Sequence, residues 1–323
     1  MAVRSDAWRR MPPVVFAPIF GFLGLGLAWR RADPAFQLPV ALGEMLLGAG
    51  VVILALAVAA WLAKVVCRPG VLGEDLRVLP GRAGTASMTL SLMLAAAALV
   101  PYAPGVAQAL VIAALLMHAI LAALVAHSIA AGPEEGCVVT PVWHLVFAGF
   151  IVGAVALIAL GRAELARAIL YATMPVAGVI LVVSAWQLLR GSLPPSPLRP
   201  LFAVHLAPVS LFATVSGMLG LEMLAAAWAA FGAAILAALV LSARWLLAAG
   251  FTPLWGALTF PAAAYASVLI LASGGAGALG VVAGVLLVAA TLLVVPVLAL
   301  VLRGWARGDL AARTNAARAE RGK

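Results

Sequence analysis

The sequence is poor in charge. Only 10% of its 323 residues are Asp, Glu, Lys or Arg, whereas 66% are hydrophobic. A soluble domain carries roughly 25% charged residues, and without them long apolar runs would stand exposed as aggregating patches. This deficit excludes a soluble enzyme, a soluble nucleic-acid binder and a secreted scaffold. Cysteine is scarce as well. Cys67 and Cys137 are the two in the chain, too few for a disulfide framework. The signatures of chemistry are missing too. No His/Glu pair stands at helical spacing, and neither Gly-x-Ser-x-Gly nor Gly-x-x-x-x-Gly-Lys occurs, so a membrane-embedded enzyme would have almost no residues to work with. No catalytic residue, metal or cofactor is expected.

What the chain has is hydrophobic length, with a mean hydropathy of +1.18. Crossing a hydrocarbon core of ~30 Å takes roughly 20 apolar residues as a helix. Apolar runs bounded by charges and Gly/Pro breaks divide the chain into ten segments, at 14–30, 38–66, 83–101, 105–130, 141–160, 164–189, 200–220, 222–247, 253–273 and 276–302. The first, although preceded by Arg4, Arg9 and Arg10, is interrupted by Pro12, Pro13 and Pro18 and lacks a small-x-small cleavage site, so it reads as a retained span. Connections as short as Pro101-Tyr102-Ala103-Pro104 and Gly274-Gly275 force antiparallel neighbours. The expectation is an all-α integral membrane protein, one transmembrane domain over 1–323 made of five helical hairpins, with a basic tail at 303–323.

The net charge of +9 needs no nucleic acid. With ten spans, Arg30, Arg31, Arg162 and Arg167 fall on one side and the remaining basic residues on the other, a bias that places both termini in the cytosol. Both cysteines then face the reducing side. The odd-numbered segments also share an opening: Pro12-Pro13, Pro80, Pro141, Pro200 and Pro253 precede or begin them, and Thr-Pro-x-Trp occurs twice, at 140–143 and 252–255. Proline is tolerated in a first turn because its missing N–H would be unpaired there. Farther in it kinks the helix, the reading given to Pro18, Pro208 and Pro261.

Ionisable residues within spans are costly and count as functional candidates. Here they are His118, His144 and His205, and the last two lie a few residues into odd spans. Each could serve a proton relay or a substrate, or be a hydrogen-bonded core histidine. Gly149-x-x-x-Gly153 and Gly280-x-x-x-Gly284 permit close helix packing. The hydroxyls of Thr85, Ser87, Thr89 and Ser91 cannot all share one face, which leaves room for two of them on a water-filled path. Five odd helices would point their positive N-terminal dipoles at the cytosolic end. Arg82 and Arg199 beside two of those ends would complete an electropositive mouth.

These segments resemble a known family. Phe16-Ala17-Pro18-Ile19-Phe20-Gly21-Phe22-Leu23-Gly24-Leu25 with Ala28-Trp29-Arg30 is similar to the first span of the tellurite-resistance/dicarboxylate transporters, which include plant guard-cell slow-type anion channels and fungal malic-acid transporters. Pro80-Gly81-Arg82 leading into 85–94, Thr140-Pro141-Val142-Trp143 with Gly149, Arg199-Pro200-Leu201-Phe202 with Ala207-Pro208, and Trp255 with Thr259-Phe260-Pro261 continue the resemblance in order along the chain. It implies five hairpins around a central pathway, odd helices inner and even helices outer, assembled as a homotrimer in membrane lipid. It also implies a phenylalanine of the ninth helix that occludes the pore, here Phe260, for which the residues alone favour a core aromatic beside the Pro261 kink. Phe16, Pro18, Gly21, Gly24, Thr85, Met88, His144, Gly149, His205, Pro208 and Pro261 are the pore-lining or kink candidates. The expected function is an anion channel or uniporter for small inorganic or organic anions in a bacterial inner membrane. The competing reading is a proton-coupled carrier or exporter of C4-dicarboxylates, sulfite or tellurite oxyanions. That reading needs a titrating group, which only His144 and His205 offer.

Overall fold

Proline and glycine decide how the helices begin. In the computed structural model, which describes residues 8–39, 41–132 and 138–319, all regular structure is helical among the described residues. The first apolar segment opens as a 3₁₀ turn, Pro13–Val15, and continues as α1, Phe16–Phe36. Then follow α2 (Ala41–Cys67), α3 (Gly70–Arg77), α4 (Leu79–Leu99) and α5 (Pro104–Ala130). The fifth apolar segment is broken. A π-helical stretch, His144–Ala148, leads through Gly149 and Phe150 into α6, Ile151–Ala159. After α7 (Ala163–Leu189) a 3₁₀ helix, Ser196–His205, feeds α8 (Leu206–Met218). The chain closes with α9 (Glu222–Leu241), α10 (Ala243–Leu246), the 3₁₀ turn Pro253–Trp255, α11 (Gly256–Ser273), α12 (Gly277–Arg307) and α13 (Leu310–Arg313).

Nine of these helical segments are long and apolar enough to cross a membrane, and the chain is a multi-pass membrane protein. The segment expected at 141–160 falls short of that length as a single helix, because residues 144–148 are π-helical and the Gly149-Phe150 step interrupts it. The segments divide by burial. In Pro13–Phe36, Leu79–Leu99, Ser196–Met218 and Pro253–Ser273, 72–83% of the apolar window is buried within the protein. In α2, α5, α7, α9 and α12 the share is 6–33%. The outward faces of this second set are apolar, with Leu56, Met223, Leu241 and Leu292 among the exposed side chains. Such faces suit lipid and not water.

Two of the expected kinks are corrected. Pro18 and Pro208 are each the third residue of their α-helix, α1 and α8, directly after a 3₁₀ stretch. At that position the missing N–H costs no helical bond, so these prolines mark a change of helix type and not a mid-span bend. Pro261 does lie inside α11.

The end at which α1, α4, α8 and α11 begin, called the near end, is closed by a buried ion pair. Lys64 Nζ donates to Asp75 Oδ2 at 2.7 Å and to the Met11 carbonyl at 3.0 Å. The other Asp75 oxygen accepts the Ala317 N–H at 2.8 Å, and the Ala319 N–H reaches the Arg9 carbonyl at 3.0 Å. The described part of the basic tail is therefore packed against the near end. Burial pushes the Asp75 carboxyl up from its ordinary value, while Lys64 and the Ala317 N–H pull it down. At the far end Arg30 forks onto Glu44, at 2.6 and 2.7 Å, and reaches the Ala98 carbonyl at 3.0 Å. Tyr102 donates to the same carboxylate at 2.8 Å, which holds its phenol above the ordinary value. Arg30 and Arg31 thus belong to α1, not to a loop. Cys67 is exposed with a free thiol, whereas Cys137, Arg4, Arg321 and Lys323 lie outside the described residues.

Candidate functional site: a line of cavities through Phe260

α1 and α11 approach closely because Gly21 and Gly24 carry no side chain. A Cβ at Gly21 would strike Thr259, and one at Gly24 would stand 2.8 Å from the Phe260 ring. That space lets the Phe260 ring lie flat against Phe20, with centroids 3.8 Å apart and planes 18° from parallel. Both rings are buried.

Three small cavities meet at this ring. The near one is walled by Ala17, Ala83, Leu201 and Leu254, the middle one by Leu90, His144, Gly149 and Pro208, and the far one by Gly24, Leu94, Val155 and Ser267. Phe260 borders all three, and Phe20 borders the first two. Neighbouring cavities share walls, Leu145 and Ala207 between the first pair and Leu211 between the second. Every described lining residue comes from the 13–36 segment, α4, the 144–159 segment, the 196–218 segment or the 253–273 segment. Each cavity has room for about one or two waters. The near cavity is lined by one hydroxyl, that of Ser87, among apolar groups.

The histidines are brought together. His144 Nε2 lies 2.9 Å from His205 Nδ1, and His205 Nε2 lies 3.0 Å from Ser184 Oγ on α7. All three side chains are buried, and His144 Nδ1 has no hydrogen-bond partner. His118 stands apart from this chain, with its Nδ1 2.7 Å from Thr89 Oγ1 and its ring edge-on to Phe150. A Cβ at Gly149 would come within 2.9 Å of His118 Nε2, so α5 packs there because the residue is glycine.

The other candidates occupy varied places. Gly24, His144, Gly149, Pro208, Phe260 and Pro261 line cavities. Phe16, Thr85 and Met88 are buried without lining any of the three, and the Thr85 hydroxyl is spent on the Gly81 carbonyl. His205 lines none of the three cavities and lies behind His144, to which it is hydrogen-bonded. Arg82 donates to the Leu76 carbonyl and borders a crevice between α3 and α5. Arg199 lies over the Trp245 ring at 4.6 Å and donates to the Pro194 and Trp245 carbonyls. Neither arginine lines the three cavities. The arginine that does is Arg31, which reading the chain as runs between charges leaves in a loop. Nothing in the sequence marks it, because Pro34 reads as a helix end and yet α1 continues through it to Phe36. Among the described residues no cluster of His, Cys, Asp or Glu could hold a metal ion.

A family model for voltage-dependent anion channels (SLAC1) matches residues 10–302. The chain belongs to the voltage-dependent anion channel (SLAC1) family. Membership covers every apolar segment described above and supports a role in anion transport through a channel or transporter. No curated protein matches the chain. Within this SLAC1-family fold the ring of Phe260 is a wall shared by all three cavities.

Proposed function

We propose that the protein is an anion channel or uniporter whose path runs along the five cavity-lining segments and is closed by Phe260 stacked on Phe20. The observation that carries this reading is the shared wall: one aromatic ring borders three successive cavities lined by no other segments. A hydrophobic constriction can gate by excluding water without any charge. The near and middle cavities lack a charged wall, which suits small anions that must leave as readily as they enter. On this reading the odd-numbered spans form the inner set and the even-numbered spans the outer set.

The meeting of Arg9 with Ala319 at one end of the bundle favours an even number of crossings. The 144–159 segment is then the tenth. Both termini are assigned to the cytosol of a bacterial inner membrane by the distribution of basic residues. Assembly as a homotrimer in lipid belongs to the same reading.

The Ser184–His205–His144 chain favours a second reading, a proton-coupled carrier of C4-dicarboxylates, sulfite or tellurite oxyanions. A hydrogen-bonded pair of imidazoles can pass a proton by exchanging tautomers, and His144 faces the middle cavity. One experiment separates the two. Anion flux into liposomes holding the purified protein is measured with the membrane potential clamped, with and without a pH gradient. The channel reading expects flux that follows the anion gradient alone, and His144→Ala and His205→Ala variants whose flux varies little between about pH 5 and 8. Uptake that requires the pH gradient and disappears in either variant would establish the carrier instead.

A further inference from the structure

We infer that Arg31, with Ser267 and Thr214, forms an anion-binding site on the far side of Phe260, suited to one compact monovalent anion. The site lies on the path proposed above and rests on that reading. The two adjacent arginines of α1 have different fates. Arg30 is matched by the Glu44 carboxylate at 2.6 Å. Arg31 has no carboxylate within ion-pair distance among the described residues. Its Nη1 donates to Ser267 Oγ at 2.6 Å and its Nη2 contacts Met218 Sδ at 3.5 Å. The buried Asp33 two residues on has no hydrogen-bond partner for either carboxylate oxygen among the described residues and makes no ion pair with Arg31.

A guanidinium offers five N–H donors, and the two contacts of Arg31 leave most of them for something else. A cation inside a membrane protein is stable when an opposite charge or a set of dipoles meets it. Arg31 borders the far cavity together with Ser267 and Thr214, whose side chains are both buried. Because Ser267 Oγ accepts from Arg31, its own O–H is free to donate to a third group. The remaining walls are apolar, among them Leu27, Leu94, Val155 and Leu211. One fixed positive charge, hydroxyl donors and room for about a water or two match a halide or a planar monovalent oxyanion. A dicarboxylate would exceed the space and leave one of its two charges unpaired among apolar side chains.

The test uses the full-length protein, in two measurements. Radiochloride binding to the purified protein is followed at equilibrium, and conductance in planar bilayers is followed as chloride concentration rises. Wild type is expected to bind chloride and to show conductance that saturates. In R31Q chloride binding should weaken about ten-fold or more, the loss of one charge-assisted contact, and saturation should move to correspondingly higher chloride. R31K should keep most of the binding. Succinate at equal concentration should not displace chloride. If wild type conducts and R31Q binds and saturates as wild type does, the site is overturned. If succinate displaces chloride fully, the assignment to monovalent anions is overturned. Chloride binding that is lost in R31Q from a wild type that carries no flux would keep the site and remove the path. Should R31Q fail to fold, a variant combining S267A with T214V keeps Arg31. Several-fold weaker chloride binding in it supports the site, and unchanged binding overturns it.

Discussion

At the scale of single residues, position in the sequence and position in the fold diverge most for the arginines. Arg82 and Arg199 stand beside helix starts and so read as a charged mouth, yet their guanidinium groups turn to backbone carbonyls and, for Arg199, to an indole face. Side-chain length explains this, since an arginine can carry its charge several ångströms from its Cα and lie along apolar surface on the way. Arg199→Gln is therefore expected to leave single-channel conductance near the wild-type value at low and high salt alike, and to cost about 0.5–1 kcal/mol of stability through the lost cation–π contact. A conductance that falls steeply at low salt and recovers at high salt would instead place Arg199 at the mouth, because exposed charges act over a screening length that shortens with salt. Phe260, by contrast, is singled out by the family resemblance and not by its neighbours in the sequence, which favour a core aromatic beside Pro261. The ring that completes the stack, Phe20, was within the first-span motif but carried no signal of its own, since nothing in a sequence shows which two aromatics on distant helices will face each other.

At the scale of elements, most of the helices were legible because apolar runs between charges are the same signal that lipid selects. The exceptions have one physical cause. Periodicity assumes α geometry throughout, whereas three of the cavity-lining segments open as 3₁₀ turns and a fourth as a π-helix. The amphipathic α3 was missed because it is only eight residues long and polar. It nevertheless carries Asp75, which joins α2, α3, the N-terminal stretch and the tail. The pair it makes with Lys64 is fully enclosed, so removing one partner leaves an uncompensated buried charge. Asp75→Ala is expected to destabilise the protein by about 3–5 kcal/mol, and replacing both partners by apolar residues, Lys64→Met with Asp75→Leu, should recover most of the loss. Thermal unfolding in detergent reads both. A double variant no more stable than the single one would show that the Ala317 and Met11 contacts, not the ion pair, hold this end.

At the scale of the whole molecule, the arrangement inverts what a water-soluble bundle does. The most hydrophobic helices, α5 and α12 among them, face outward, and the segments richer in glycine, serine and threonine face one another around the cavities. Lipid gives apolar helices no reason to hide, so close approach between small residues decides what packs inside. The consequence is an interior with little volume and few charges, in which one ring, Phe260, borders all three cavities. The central claim is that Phe260 closes an anion path. It is tested most directly by chloride flux through Phe260→Ala in liposomes, with folding checked by unfolding temperature, since truncating a buried phenylalanine costs ~3–5 kcal/mol on packing grounds alone. The account predicts that the folded variant passes chloride faster than wild type, because the near, middle and far cavities then join. A folded variant that passes chloride no faster than wild type would contradict it and leave Phe260 a core residue.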